Sequence, residues 1–459
     1  MIKYIQEKKI KKILEYLIYF VAFLLTLQTR YFLRLGEING SLSEYATISL
    51  YGVDLLIIIV ILLNCYIAFK DFRFKILDFR FKFVWYLIAG LELFIFISIF
   101  FADDKILALY RYGVFMLGVA LFWVLTTANF DKIRLLYFFI GGMFLQAVLG
   151  TWQFLTQSSL ANKWLGLAMH NPRELGVSVI EAVGPDGVGE RWLRAYGGME
   201  HPNILGGILA VGLLILLGLY LKLIPKLSSY AKASAARQIL NKLQTQNFAS
   251  LLFYFLLFTS LLFSFSRGAW LGFVVGMIVL LAGLVIKKDL FKQRELLIII
   301  LISAVLFSLV YSQYANLFQT RMSLSSRLEN ISYAERVSSI NDAEKIVKDN
   351  ILFGTGIGNY PLELSKNINN RLGWFYQPVH NTFLLVLSEI GIFGFLFWLV
   401  LIFYLLFKFF KDKDYLALGV LASLIVIMQF DHWLWSLHFG VLFWWFVLGT
   451  LLTRKDNLV

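Results

Sequence analysis

The sequence predicts an all-α polytopic membrane protein, on three observations. Of its 459 residues 59% are hydrophobic and only 15% charged, the mean hydropathy is +0.74, and apolar runs of spanning length recur between short charged segments. A soluble domain of this length has no interior large enough for such an apolar fraction. The net charge of +13 arises largely from basic runs between the spans, which suit anionic lipid headgroups, and no nucleic-acid partner is expected. Cys65 is the single cysteine, so an internal disulfide and a cysteine metal cluster are both excluded.

A spanning helix takes about 20 mostly apolar residues. About 12 runs qualify, centred near Phe20, Val60, Leu91, Leu117, Met143, Leu213, Phe258, Val279, Leu301, Phe397, Leu421 and Phe446. The first follows a basic stretch, as in a signal peptide, but no small-residue cleavage site precedes Tyr31 and Phe32, so it is read as a retained span. An even count puts both termini on one side. The Lys and Arg of 1–12, 70–82, 129–134, 222–242, 287–294, 408–413 and the C-terminus then share that side, and the positive-inside rule makes it cytoplasmic.

The whole chain, 1–459, reads as one integral membrane unit. Two long segments, 158–203 and 312–379, fall on the outer side, and the other loops are short apart from an inner one at 225–248. Functional groups gather in long loops. In the second outer segment, 333–350 sets Val337, Ile340, Ala343 and Val347 at helical spacing with charges elsewhere, which predicts an amphipathic helix resting on the membrane or the bundle. No internal repeat is evident, and this disfavours a secondary transporter.

Arg194 precedes Gly197, Gly198, His201, Pro202 and Asn203 just before a span. A guanidinium there reaches headgroup depth and grips a pair of phosphate oxygens, although a snorkelling anchor explains the same position. His201 is equally well explained by polarity at a helix start. Arg267, in Ser266-Arg267-Gly268-Ala269, stands between two apolar runs with almost no loop, and an unpaired charge there costs about 3 kcal/mol, so it needs a partner. Arg321, Arg327, Arg336 and Arg371 are solvated charges or parts of an anion funnel; Arg336 is favoured because it begins the expected amphipathic helix. Gly354-Thr-Gly356-Ile-Gly358-Asn-Tyr360 lacks the lysine and the spacing of a nucleotide loop and reads as a tight outer turn. His380 closes this segment where an apolar run begins, and its ordinary pKa of about 6.5 lets it accept a proton from a hydroxyl. Glu389, Asp54 and Glu92 are carboxylates inside spans, each needing a partner or a proton.

His380, Asn381, nine residues, Gly391, two residues and Gly394 match the signature of the O-antigen ligase family and its polymerase relatives. The stretch Arg194–Asn203, the Ser266-Arg267-Gly268 junction and the glycine turn 354–360 resemble that family's other motifs, in the same order. What the resemblance implies is a GT-C-like membrane glycosyltransferase in a bacterial inner membrane, with its site facing the periplasm. It would transfer a glycan from undecaprenyl diphosphate, with inversion, to a hydroxyl of lipid A-core oligosaccharide, and would use no cofactor and no metal. His380 and Asn381 would act on the acceptor hydroxyl, and Arg194, Arg267 and Arg336 would hold the donor diphosphate, with Glu389, Gly391 and Gly394 in support. A polymerase using the same donor, a protein O-oligosaccharyltransferase and, less readily, a lipid or glycan flippase remain alternatives.

Overall fold

The computed structural model describes residues 2–70, 82–183, 189–223, 250–323, 326–368 and 370–453. The inner segment 225–248 and most of the basic run at 70–82 lie outside them. Each of the twelve expected centres falls on a helix. These are α1 (Ile2–Leu24), α2 (Gly52–Lys70), α3 (Lys82–Ser98), α4 (Lys105–Thr127), α5 (Lys132–Thr156), α6 (Pro202–Leu223), α7 (Ser250–Phe263), α8 (Arg267–Ile286), α9 (Leu290–Gln313), α13 (Thr382–Lys411), α14 (Tyr415–Phe430) and α16 (His438–Leu452). Eight are long and apolar enough to cross a membrane, whereas α7, α14 and α16 are shorter and α1 opens with a charged stretch.

Polar residues that interrupt the apolar runs start several of these helices. Asp104, Asp131, Asp289 and Asp414 each accept a backbone N–H of the following turn, which satisfies donors that would otherwise be orphaned. The most enclosed span is α6, which packs against α5, α8 and α14. Beside it α8 and α14 run almost backbone to backbone: a Cβ on Gly276 would lie 3.0 Å from Gly419 O, and one on Gly272 would lie 2.9 Å from Ser423 O. Small residues are what allow two membrane helices to approach this closely.

One end of the bundle departs from the all-α expectation. Residues between α1 and α2 form two antiparallel ribbons, β1 (Arg30–Arg34) with β4 (Ile48–Tyr51) and β2 (Glu37–Ile38) with β3 (Ser41–Leu42), and a third pairs β5 (Val179–Val183) with β6 (Gly189–Leu193). The first-to-second-span connection is therefore a structured third segment at this end, where the sequence suggested only a loop. It touches both long segments: Thr29 Oγ1 donates to Trp164 O at 2.7 Å, and Asn39 Nδ2 donates to Tyr376 Oη at 2.7 Å. Short helices α10 (Ala315–Met322), α12 (Tyr360–Asn367) and α15 (Trp433–Ser436) complete the layer.

The amphipathic helix is present as α11 (Arg327–Asp349), capped by Ser326. It begins earlier than expected, so Arg336 lies in its middle and not at its start. Of the expected apolar stripe Ala343 is buried and Val347 half-buried, while Val337 and Ile340 remain exposed; the other buried apolar residue, Ile346, lies outside that stripe.

The break in α13 explains the spacing of its glycines. Gly391 has φ +67° and ψ −177°, a region open essentially to glycine alone. There the turn 354–358 inserts: Thr355 N donates to Ser388 O and Gly356 N to Glu389 O, both at 2.9 Å, and Ile392 N donates to Ile351 O at 2.8 Å. The turn thus satisfies backbone groups that the break leaves open. A Cβ on Gly391 would lie 2.2 Å from Leu352 O, whereas one on Gly394 meets only the Ile390 side chain. Gly391→Ala is expected to cost about 1–3 kcal/mol and to lower the thermal unfolding midpoint in detergent well beyond Gly394→Ala. Equal midpoints for the two variants would contradict this account of the break.

Candidate active site

A cavity of about 580 Å³ opens between the ribbons, α11 and the start of α13. Of the sequence-selected residues Arg194, Arg336, His201 and His380 line it, together with Arg321, Asp431 and His432. Arg194 follows β6 and is only 4% exposed. Its Nε donates to Ser264 O and its Nη2 to Asn203 Oδ1, both at 2.8 Å, so its bound partners are neutral. Burial, with Arg321 close by, pushes its pKa down.

Arg267 has the partner that its position demanded. Its Nη2 lies 3.1 Å from Glu329 Oε2, and its Nη1 donates to Arg321 O at 3.0 Å. It lines a small pocket adjoining the cavity, beside Arg321, Arg336 and Asp431. Arg321 is buried, donates from Nε to Phe265 O at 3.0 Å, and pairs closely with the other oxygen of Glu329. Glu329, itself buried, therefore bridges two guanidiniums. The Arg336 guanidinium has no hydrogen bond among the described residues; its pKa is drawn down by burial and held up by Asp431.

Across from these cations stands a group that the sequence reading did not foresee. Donor atoms of His380, Asp431 and His432 all lie within 4.8 Å of one another, and the two imidazole centroids are 5.1 Å apart. Asp431 Oδ2 accepts from Asn203 Nδ2 at 2.9 Å, Oδ1 accepts from His432 N at 2.8 Å, and the backbone oxygen accepts from Thr382 Oγ1 at 2.7 Å. Burial alone raises the Asp431 pKa, but His432, His380, His201 and the Asn203 amide hold it at about 2. His432 is driven down to about 3 by burial, against the pull of Asp431. His380 is lowered by burial and by Arg336, with Asp431 opposing, and its Nδ1 has no hydrogen-bond partner among the described residues. His380 is therefore a neutral imidazole at pH 7, able to accept a proton.

Two histidine nitrogens and an aspartate carboxylate are donors that a metal ion uses. Here Arg336 adds positive charge alongside, which opposes a cation at this point. His201 is committed elsewhere: Nδ1 accepts from Asn203 N at 3.1 Å, which makes Nε2 the protonated nitrogen facing Ser178 Oγ at 2.7 Å.

The remaining motif residues act behind the cavity. Asn381 caps α13, accepting from Leu384 N at 3.1 Å, and its Nδ2 reaches Gln429 O at 3.4 Å. Glu389 finds an indole partner: Trp435 Nε1 donates to its Oε2 at 2.8 Å, with backbone N–H groups of Gly358 and Tyr360 also directed at it. Asp54 pairs with His438 Nε2 at 2.7 Å.

The fold and the cavity thus define a multi-pass membrane protein with a cationic pocket facing a neutral histidine. Residues 252–399 match the family model described as O-antigen ligase. The match takes in Arg267, Arg321, Glu329, Arg336 and the His380–Gly394 motif, while Arg194 and Asp431 lie outside it. No curated protein matches the chain.

Removing the shared carboxylate should be costly, because it leaves two guanidiniums facing each other. Glu329→Ala is expected to destabilise by about 3–5 kcal/mol, read as a lowered unfolding midpoint in detergent. A loss below about 1 kcal/mol, the scale of an exposed pair, would show that the pair is not buried as described.

Proposed function

We propose that the protein is a membrane glycosyltransferase that takes a glycan from a polyprenyl diphosphate and joins it to an acceptor hydroxyl, acting as an O-antigen ligase on lipid A-core oligosaccharide. The observation that carries this reading is a single cavity lined both by Arg194, Arg321 and Arg336 and by the neutral His380. The family domain supports ligase- or polymerase-type chemistry.

In the reaction, the acceptor oxygen attacks the anomeric carbon from the face opposite the diphosphate, and His380 takes the hydroxyl proton. The bond from that carbon to the diphosphate oxygen breaks, and its electron pair leaves with the lipid diphosphate. Negative charge grows on that leaving group, so cations fixed beforehand stabilise the transition state more than the ground state. Arg336 is the best placed electrostatically, since its guanidinium has no hydrogen bond to give up among the described residues. Arg194 retains N–H groups beyond the two bonds that anchor it. Arg267 acts from behind, with Glu329, by fixing Arg321. Asp431 offsets the positive charge that His380 acquires. The outer face of a bacterial inner membrane is the location that fits this donor.

With undecaprenyl-diphosphate glycan as donor and lipid A-core as acceptor, His380→Ala should lower transfer by about 100-fold or more, and Arg194→Lys by about tenfold despite the retained charge. Lipid-linked glycan that lengthens without lipid A would make the protein a polymerase; wild-type activity in both variants would remove these residues from the site. The pH dependence has a definite sign. Because the His380 pKa is depressed, the base is already free at neutral pH, and kcat should fall only on acidification below the ordinary histidine value of 6.5. An acid limb centred above pH 7 would contradict His380 as the base.

A further inference from the structure

The arginine wall accounts for only part of the cavity. A second corner is formed by Glu44, between β3 and β4, and Glu200, just before α6. Arg30 lies between them, and its charge is already taken: Nη2 donates to Glu44 Oε2 at 3.0 Å while Nη1 pairs with Oε1. Glu200 Oε1 stands 3.8 Å from Arg30 Nη1, beyond hydrogen-bonding distance, and no hydrogen bond reaches its carboxylate among the described residues. It is nonetheless about a third open, at 31%. Glu200 is thus a carboxylate surplus to the ion pair, facing a cavity.

Two further observations direct the corner toward the reaction. Tyr45 packs edge-on against His432, with ring centroids 5.6 Å apart, and His432 lies 5.1 Å from His380. All three rings line the same cavity, and His380 Nδ1 is buried without a hydrogen-bond partner among the described residues. At the rim Trp374, 64% exposed, presents an indole face.

We infer that the Glu44–Glu200 corner is the acceptor subsite, and that it takes an uncharged sugar whose hydroxyls donate to the two carboxylates. The inference rests on the transferase reading above and adds the chemical class of the acceptor ring. A phosphate or uronate is drawn to the arginines and meets at this corner the surplus carboxylate of Glu200, so charge helps to sort two substrates within one cavity. Hydroxyls are donors that a carboxylate accepts strongly, and the indole offers the apolar face of a sugar ring a surface.

The test uses full-length protein in lipid nanodiscs, undecaprenyl-diphosphate glycan as donor, and octyl glycosides as acceptor probes: the glucoside, galactoside and N-acetylglucosaminide against the glucuronide. A neutral glycoside should be preferred to the glucuronide by about tenfold or more, and Glu200→Gln and Glu44→Gln should each raise its acceptor KM about tenfold. Donor KM should stay within about twofold of wild type, which also reports that the variants fold. Product formation with unchanged acceptor KM in both variants, a shift in donor KM instead, or preference for the glucuronide would overturn the subsite while leaving the transferase intact. Failure of every glycoside to yield product would overturn the transferase reading and the subsite with it.

Discussion

An excess of positive charge, part of it fully buried, is the constraint on which the rest of this end of the molecule depends. Arg194, Arg267, Arg321 and Arg336 converge on Glu329 and Asp431 as their nearby carboxylates. Glu329 is shared between two of them, Arg194 is held by a carbonyl and an amide, and Asp431 is also tied to Asn203 and surrounded by histidines. Such an arrangement is expensive without an anion. It also explains why the neighbouring histidines are neutral, since burial and adjacent guanidiniums both disfavour a second cation.

Holding that charge in place requires a stiff frame, and the break in α13 supplies much of it. The turn 354–358 enters at Gly391 and caps open carbonyls of Ser388 and Glu389. Glu389 in turn accepts from Trp435 on α15, and Thr382 at the start of α13 donates to Asp431 O. The polar link between α14 and α16 is therefore fastened at two points to the helix that follows His380. Asn203 closes the frame from the other side, joining Arg194 to Asp431.

How much of this was legible in the sequence follows from whether a feature is local. The helices were readable because apolar run length alone marks a span, and Arg267 announced its need for a partner by lying between two runs with no loop. His380 and its glycines were readable as a spacing. Asp431 and His432 were not, because they stand about 50 residues beyond His380 in the chain and only helix packing brings them to it; the signal was the polar pair itself, interrupting an apolar stretch. For Arg321 the choice between a solvated charge and part of an anion funnel stayed open, because its burial depends on Glu329 and Phe265 O, contacts with no sequence signature. The ribbons between α1 and α2 were missed because their strands are only two to five residues long, too short for periodicity to register.

The central claim is that the arginine wall binds a diphosphate independently of the histidine. Affinity for undecaprenyl diphosphate, measured on full-length protein in nanodiscs for wild type, His380→Ala and Arg336→Ala, tests it most directly. The account predicts binding by His380→Ala close to that of wild type and a loss of about tenfold or more in Arg336→Ala. Equal affinity in all three, or a loss confined to His380→Ala, would contradict it.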